Sequence, residues 1–187
     1  MLELIFAVVL WTLTGDVPDY LKSYRYDVDR ERLTSHILRV CPKCSHAYDL
    51  ADAILWESID HGLDPALLTS IAWTESGYRT WVKGTSGEVG LWQLLPGGWL
   101  AYCYDQIRGD GPPWRRLSAK SRRKQCKNLR VGTYLAACMI GYHLQTCQQH
   151  SAYCYAMYQT GRQPVTPRYR RLLKRRSAAV RRRLRGQ

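Results

Sequence analysis

The side chains best suited to chemistry converge on one short stretch of this 187-residue chain. Glu75 stands near the end of the run Ile71-Ala-Trp-Thr-Glu75-Ser76-Gly77-Tyr78. A glycine-rich run follows, Gly87-Glu88-Val89-Gly90-Leu91-Trp92-Gln93-Leu94-Leu95-Pro96. A carboxyl at a helix end, half buried among groups such as Trp73, Tyr78 and Trp92, keeps its proton to higher pH, because desolvation penalises the charged form. Such a group suits general acid work. Glu88 adds a carboxylate nearby and reads as a surface charge on a turn. The five histidines show no nucleophile or metal arrangement. Cys41-Pro-Lys-Cys44 with His46 could form half of a zinc site. No second Cys-x2-Cys or His pair stands at ligand spacing, so the sequence calls for no metal and no small-molecule cofactor.

The elements that must position Glu75 read as mainly α. Ala47, Leu50, Ala51, Ile54 and Leu55 recur at helical spacing, and Gly62 is a natural stop. Asp64 is a good N-cap and Pro65 suits a first helical position. That helix runs through Leu68, Ile71 and Ala72 to about Ser76. Residues 84–98 read as a turn or short hairpin and then a short helix, and residues 105–127 as a polar loop. Asn128 caps a long helix with Leu129, Leu135, Ala136, Met139, Ile140 and His143 on one face. Gly132 on that helix permits close packing. Ser151 starts a further helix that ends at Gly161.

Four blocks, in order, carry a family resemblance. Glu75, Ser76 and Tyr78 fall on a Glu-Ser-x-aromatic block. Gly87, Gly90, Leu91, Gln93 and Pro96 fall on Gly-Ala-x-Gly-Leu-Met-Gln and its following proline. Asn128-Leu129-x-x-Gly132-x-x-Tyr-Leu135 looks like Asn-Ile-x-x-Gly-x-x-Tyr-Leu, and Ala156-Met157-Tyr158-Gln159-Thr160-Gly161 looks like Ala-Ala-Tyr-Asn-Ala-Gly. Over residues 46–161 the chain resembles the lytic transglycosylases with the soluble-lytic-transglycosylase, goose-lysozyme-like catalytic domain. Gly84 stands where a serine is usual, Glu88 replaces alanine, Trp92 replaces methionine and Gln159 replaces asparagine.

The resemblance implies a lysozyme-like fold and cleavage of the β-1,4 bond between N-acetylmuramic acid and N-acetylglucosamine in peptidoglycan. It implies that Glu75 is the catalytic acid and that Ser76, Tyr78, Gly90, Leu91, Gln93, Tyr158 and Gln159 bind substrate. Cleavage needs a proton on the leaving oxygen as oxocarbenium character builds. The substrate's own acetamido group can stabilise the anomeric centre. The deprotonated Glu75 can then take the proton of the C6 hydroxyl, which yields a 1,6-anhydro product. The alternatives are a hydrolytic muramidase, a glycosidase of the same fold acting on chitin-like polymer, and a non-enzymatic glycan-binding or structural virion component.

Charge is divided unevenly. All fifteen acidic residues lie at or before Asp110, where the balance is −6; the rest of the chain holds nineteen Lys/Arg and no acid. Such asymmetry points to an anionic partner. About 45% of the residues are hydrophobic. That supports one core of roughly 110–150 residues and excludes a disordered, collagen-like or polytopic membrane chain. Seven cysteines suggest an oxidising compartment. Cys103 and Cys126 bracket the Gly/Pro-rich loop, and a disulfide closing it is one natural reading.

Three segments are expected. Residues 1–45 hold an apolar run of about a dozen residues, shorter than a comfortable membrane span, and an irregular lead-in. The apolar run reads as a signal region, a weak anchor or a packing helix. Residues 46–161 form the catalytic domain, and 162–187 a basic amphipathic tail with Tyr169, Leu173, Val180 and Leu184 on one face. Residues 168–185 of that tail suit an anionic envelope surface or nucleic acid. Expected locations are the periplasm or cell envelope, or a phage virion. A phage lysin and a wall-opening enzyme of a secretion or conjugation machine both fit.

Overall fold

The computed structural model describes residues 19–146 and 167–187, with side chains from Arg25 to His143 and from Pro167 onward. The apolar N-terminal run, Cys147, Cys154, the helix expected from Ser151, and with it Tyr158 and Gln159, lie outside these residues. Seven α-helices occur among the described residues: α1 (Asp19–Val40), α2 (Ala47–Asp60), α3 (Pro65–Ser76), α4 (Ala101–Ile107), α5 (Ala119–Lys127), α6 (Leu129–Thr146) and α7 (Pro167–Leu184). Short 3-10 turns cover Gly98–Leu100 and Trp114–Arg116. The expected hairpin region contains isolated antiparallel bridges, Lys83 with Val89 and Val89 with Leu94, and no sheet among the described residues.

The hub is α3. Asp64 Oδ1 accepts the Ala66 amide at 2.9 Å, and Pro65 occupies the first turn, where its missing N–H leaves nothing unpaired. Its residues from Ala66 to Ala72 are all buried, so the helix is covered on every side, and its main helical neighbours are α7 and α2. Gly77 ends it in the left-handed conformation (φ 60°), with its amide on the Trp73 carbonyl at 3.1 Å. Before α3, α2 stops as expected near Gly62, whose φ is 62°. Asn128 Oδ1 accepts the Val131 amide at 3.0 Å and caps α6.

Besides the polar loop read over 105–127, which contains α5, three sequence expectations need correction. The lead-in is helical from Asp19 to Val40. Leu33 and Ile37 bury its inner face against the core, while Tyr26 donates to Asp52 Oδ1 at 2.9 Å. Few apolar positions and many charges hid that helix, and its stability comes from packing on α2 and α7. The C-terminal basic segment packs on the domain as part of it. Tyr169, Leu173, Ser177 and Val180 of α7 are buried, chiefly against α3. The third correction concerns Cys103, which bonds to Cys138 and not to Cys126; this bridge ties α4 to α6 across 35 residues of sequence. In the chain-entropy picture, closing a loop of that length contributes about 4 kcal/mol. Cys126 is a buried thiol, pushed up to about 12 by desolvation.

Candidate active site

Glu75 lies one residue before the end of α3, where the helix leaves the core. Its carboxyl is held above the ordinary carboxylate range. Burial is the main cause, the negative charge of Glu88 adds to it, and a hydrogen bond from Tyr169 opposes it. The Tyr169 hydroxyl donates to Glu75 Oε1 from α7, 94 residues away in sequence. Arg176, about two turns further along α7, donates from Nη1 to Thr74 Oγ1 at 3.1 Å and lies 4.5 Å from the centre of the Trp73 ring. At the other end of α3, Arg181 places Nη2 2.6 Å and Nε 2.9 Å from Asp64 Oδ2. The two helices therefore run in opposite senses and are tied together at both ends.

The chain beyond Glu75 is locked in an uncommon shape. Tyr78 has φ 67°, a left-handed value that costs a non-glycine residue free energy. Full burial holds it there, with its hydroxyl donating to the Thr69 carbonyl at 3.3 Å. Its own carbonyl accepts from His46 Nε2–H at 3.0 Å and from the Cys44 thiol at 3.8 Å. Arg79 Nε donates to the Ser76 carbonyl at 2.7 Å and satisfies an orphan group of the helix end.

Opposite, the glycine-rich turn is pinned on the α5–α6 junction. Trp92 is fully buried and donates from Nε1 to Thr133 Oγ1 at 3.0 Å. A Cβ on Gly90 would stand 2.9 Å from the Cys126 carbonyl oxygen, and one on Gly132 would stand 2.8 Å from it. Both glycines allow a close approach, and Gly90 also has φ 81°. Gln93 (φ 48°) donates from Nε2 to the Gly90 carbonyl at 2.8 Å and to the Val82 carbonyl at 3.3 Å.

The expected residues therefore take different places. Glu75 and Gln93 are half-buried at the surface of the site. The side chains of Ser76, Tyr78 and Leu91 are buried in the core and shape the site from behind. Gly90 acts through its backbone. Trp92 is in the core, whereas Trp81 and Trp99 are exposed. Sequence reasoning missed Tyr169 and Arg176 as neighbours of the site. The one available signal was their spacing on the amphipathic C-terminal helix, which marks a face to be covered and leaves its partner unspecified.

A helical domain whose central helix delivers one half-buried glutamate to the surface, opposite a glycine-rich turn, is lysozyme-like. The model of the transglycosylase SLT domain family matches residues 53–176, and the chain belongs to that family. No curated protein matches the chain. The family carries a lytic-transglycosylase-type role in glycan cleavage, with peptidoglycan, an extracytoplasmic polymer, as substrate. No helix among the described residues is long and apolar enough to cross a membrane.

Proposed function

We propose that the protein is a peptidoglycan lytic transglycosylase in which Glu75 serves first as general acid and then as general base. The observation that carries this reading is the placement of Glu75 at the end of α3: burial raises its proton affinity, and the Tyr169 hydroxyl donates to its Oε1. Glu75 protonates the leaving oxygen of the β-1,4 bond while the acetamido group of N-acetylmuramic acid stabilises the anomeric centre. With its proton gone, the carboxylate is steadied by the Tyr169 hydroxyl and draws the proton from the C6 hydroxyl. The product is then a 1,6-anhydro sugar. The backbone of Gly90 and Leu91 and the amide of Gln93 line the site; Tyr158 and Gln159 join them on the strength of the family pattern.

Mass spectrometry of a sacculus digest tests this. Fragments one water lighter than hydrolysis products are expected, and Glu75→Gln abolishes their release. Undiminished cleavage by that variant overturns the assignment. A hydrolytic muramidase is the second reading, favoured by the nearness of Glu88 to Glu75, since a second carboxylate can hold a water. Ordinary reducing ends in the same digest would select it.

The outer face of α7 supports a further part of the proposal. Arg168, Arg171, Lys174, Arg175 and Arg182 are exposed there while the apolar face is buried. This arrangement suits an anionic envelope polymer or surface lipid, and a phage lysin or a wall-opening enzyme would use it to remain on its substrate. Sacculus binding that weakens with salt is the expected result. Salt-independent binding would remove the electrostatic role, and preferential retention on nucleic acid would transfer it to another partner.

A further inference from the structure

The corner between α1 and α2 holds two thiols that the proposed reaction does not use. Cys41 and Cys44 begin and end the turn Cys41-Pro-Lys-Cys44, and both are unbridged. The Cys41 amide donates to the Ile37 carbonyl at 2.8 Å and closes α1. Pro42 is second in the turn, a place that its fixed φ suits, and the Cys44 amide donates back to the Cys41 carbonyl at 2.9 Å. A turn closed in this way brings its first and fourth Cα atoms within about 7 Å. Disulfides span Cα separations of about 4.4–6.8 Å. The backbone therefore holds the two residues near the range a bridge needs. Cys41 is partly exposed, whereas Cys44 is buried and its thiol is pushed up to about 11, chiefly by burial. Cys41 is thus the sulfur an external reagent reaches first, and Cys44 is the one placed to follow.

A metal fits this corner poorly. His46 Nε2–H is engaged with the Tyr78 carbonyl at 3.0 Å, which leaves that nitrogen no lone pair to offer. Among the described residues the two thiols and His46 do not converge as a three-ligand group. The buried thiol instead touches the frame of the active site. Cys44 Sγ lies 3.2 Å from His46 Nε2 and donates to the Tyr78 carbonyl at 3.8 Å. Tyr78 is the left-handed residue three positions past Glu75.

We propose that Cys41 and Cys44 form a second, exchangeable disulfide of this protein, and that closing it withdraws the Cys44 thiol from the Tyr78 carbonyl behind the site. Cys41, its proton lost to solvent, attacks one sulfur of a small-molecule disulfide, releasing one thiol and leaving a mixed disulfide. Cys44 then gives its proton to solvent and attacks the Cys41 sulfur, which expels the second thiol. Two protein thiols are oxidised and one external disulfide is reduced to two thiols. The Cys103–Cys138 bridge and the extracytoplasmic polymer of the family both fit an oxidising setting. The bridge stands apart from the reading of Glu75 as proton donor, and only its effect on turnover rests on that reading.

The test equilibrates the full chain with reduced or oxidised glutathione, keeping samples whose Cys103–Cys138 bridge is intact by mass. Thiols are alkylated in denaturant, and trypsin is added without reductant. Cleavage after Arg39, Lys43 and Arg79 then leaves peptide 40–43 joined to peptide 44–79. That linkage is expected in the oxidised sample, reversed by reduced glutathione and absent in C41S. Sacculus cleavage should fall about fivefold on oxidation, the net worth of one neutral hydrogen bond. C41S, oxidised or not, should keep the rate of the reduced wild type. Peptides that remain alkylated at Cys41 and Cys44, or a glutathione adduct on Cys41 that never resolves, overturn the pair. Zinc retained at one per chain and lost in C41S overturns it as well. Linkage with unchanged cleavage, or an equal loss in C41S, overturns the route through Tyr78. Cleavage that survives in E75Q overturns the proton-donor reading, whereas the linkage, read by mass alone, still stands.

Discussion

The two ends of α3 make the same kind of link to α7 under opposite conditions. At the N-terminal end Asp64 meets Arg181, with both side chains partly exposed. Ion pairs in such a setting contribute about 0–1 kcal/mol, because water screens the attraction and two flexible chains must be held. At the C-terminal end Glu75 meets Tyr169 where burial is deep enough to alter the proton affinity of the carboxyl. One helix pair thus uses one contact as a fastener, while the other bears on the proton affinity of a carboxyl. Local dielectric separates them, and the number of contacts does not.

Replacement of Glu75 should give the largest effect. Glu75→Gln should lower turnover about 10³-fold or more. Because its folded-state proton affinity is raised, wild-type stability falls as pH climbs from the ordinary carboxyl value of 4.5 through the folded midpoint. The variant escapes that loss, so it should melt higher than wild type at neutral pH, with the gain vanishing below about pH 4.5. A melting series across pH checks the sign. Equal melting curves at all pH values would remove the contrast between the two ends of α3.

His36 sharpens the same contrast from beneath the site. It is buried, its Nε2 has no hydrogen-bond partner, and it packs edge-on to Trp73 at 5.2 Å and Tyr78 at 6.2 Å. Burial first, then Arg183 of α7 and Arg39 of α1, lowers it to about 4. A depressed histidine contributes stability that is present above pH 6.5 and is lost as pH falls toward 4, where the loss reaches about 3 kcal/mol. His36→Phe should flatten this acid slope, measured by urea unfolding at pH 4 and pH 7. An unchanged slope would assign it to other groups.

Tyr169→Phe should act more mildly, lowering turnover about tenfold, the worth of a hydrogen bond to a charged group. It removes a hydrogen bond that favours the ionised carboxyl, so the alkaline limb of the rate profile should move to higher pH. Arg181→Met should do least. Its melting point should change by no more than about 2–4 °C, the equivalent of 1 kcal/mol for a chain of this size, and the rate profile should stay put. A shifted profile in that variant would mean that the two ends of α3 are coupled.

Legibility in sequence followed the range of the interaction. The Asp64-Pro65 start of α3, the stop near Gly62 and the Asn128 cap depend on chain neighbours within four residues, and the structure reproduces each. Glu75 was legible because helix end, glycine-rich turn and spacing form a local pattern. The helix α1 was not, since its two deeply buried positions, Leu33 and Ile37, are outnumbered by charges. The partner of Cys103 was hidden for a different reason. Proximity in sequence favours Cys126, whereas the packing of α4 on α6 brings Cys138 within a Cα separation of 6.0 Å.

What the order of residues settles alone is the local structure: where α3 begins and ends, and where the glycine-rich turn follows it. Capping, proline geometry and left-handed glycines act over a few residues and leave a direct trace in the chain. What awaited three dimensions is everything that sets the strength of the acid. Burial of Glu75 and the hydroxyl of Tyr169 from 94 residues away arise from packing among distant segments. A charge reports its environment only after the fold has chosen its neighbours, because desolvation and Coulomb interaction depend on distance in space and not on position along the chain.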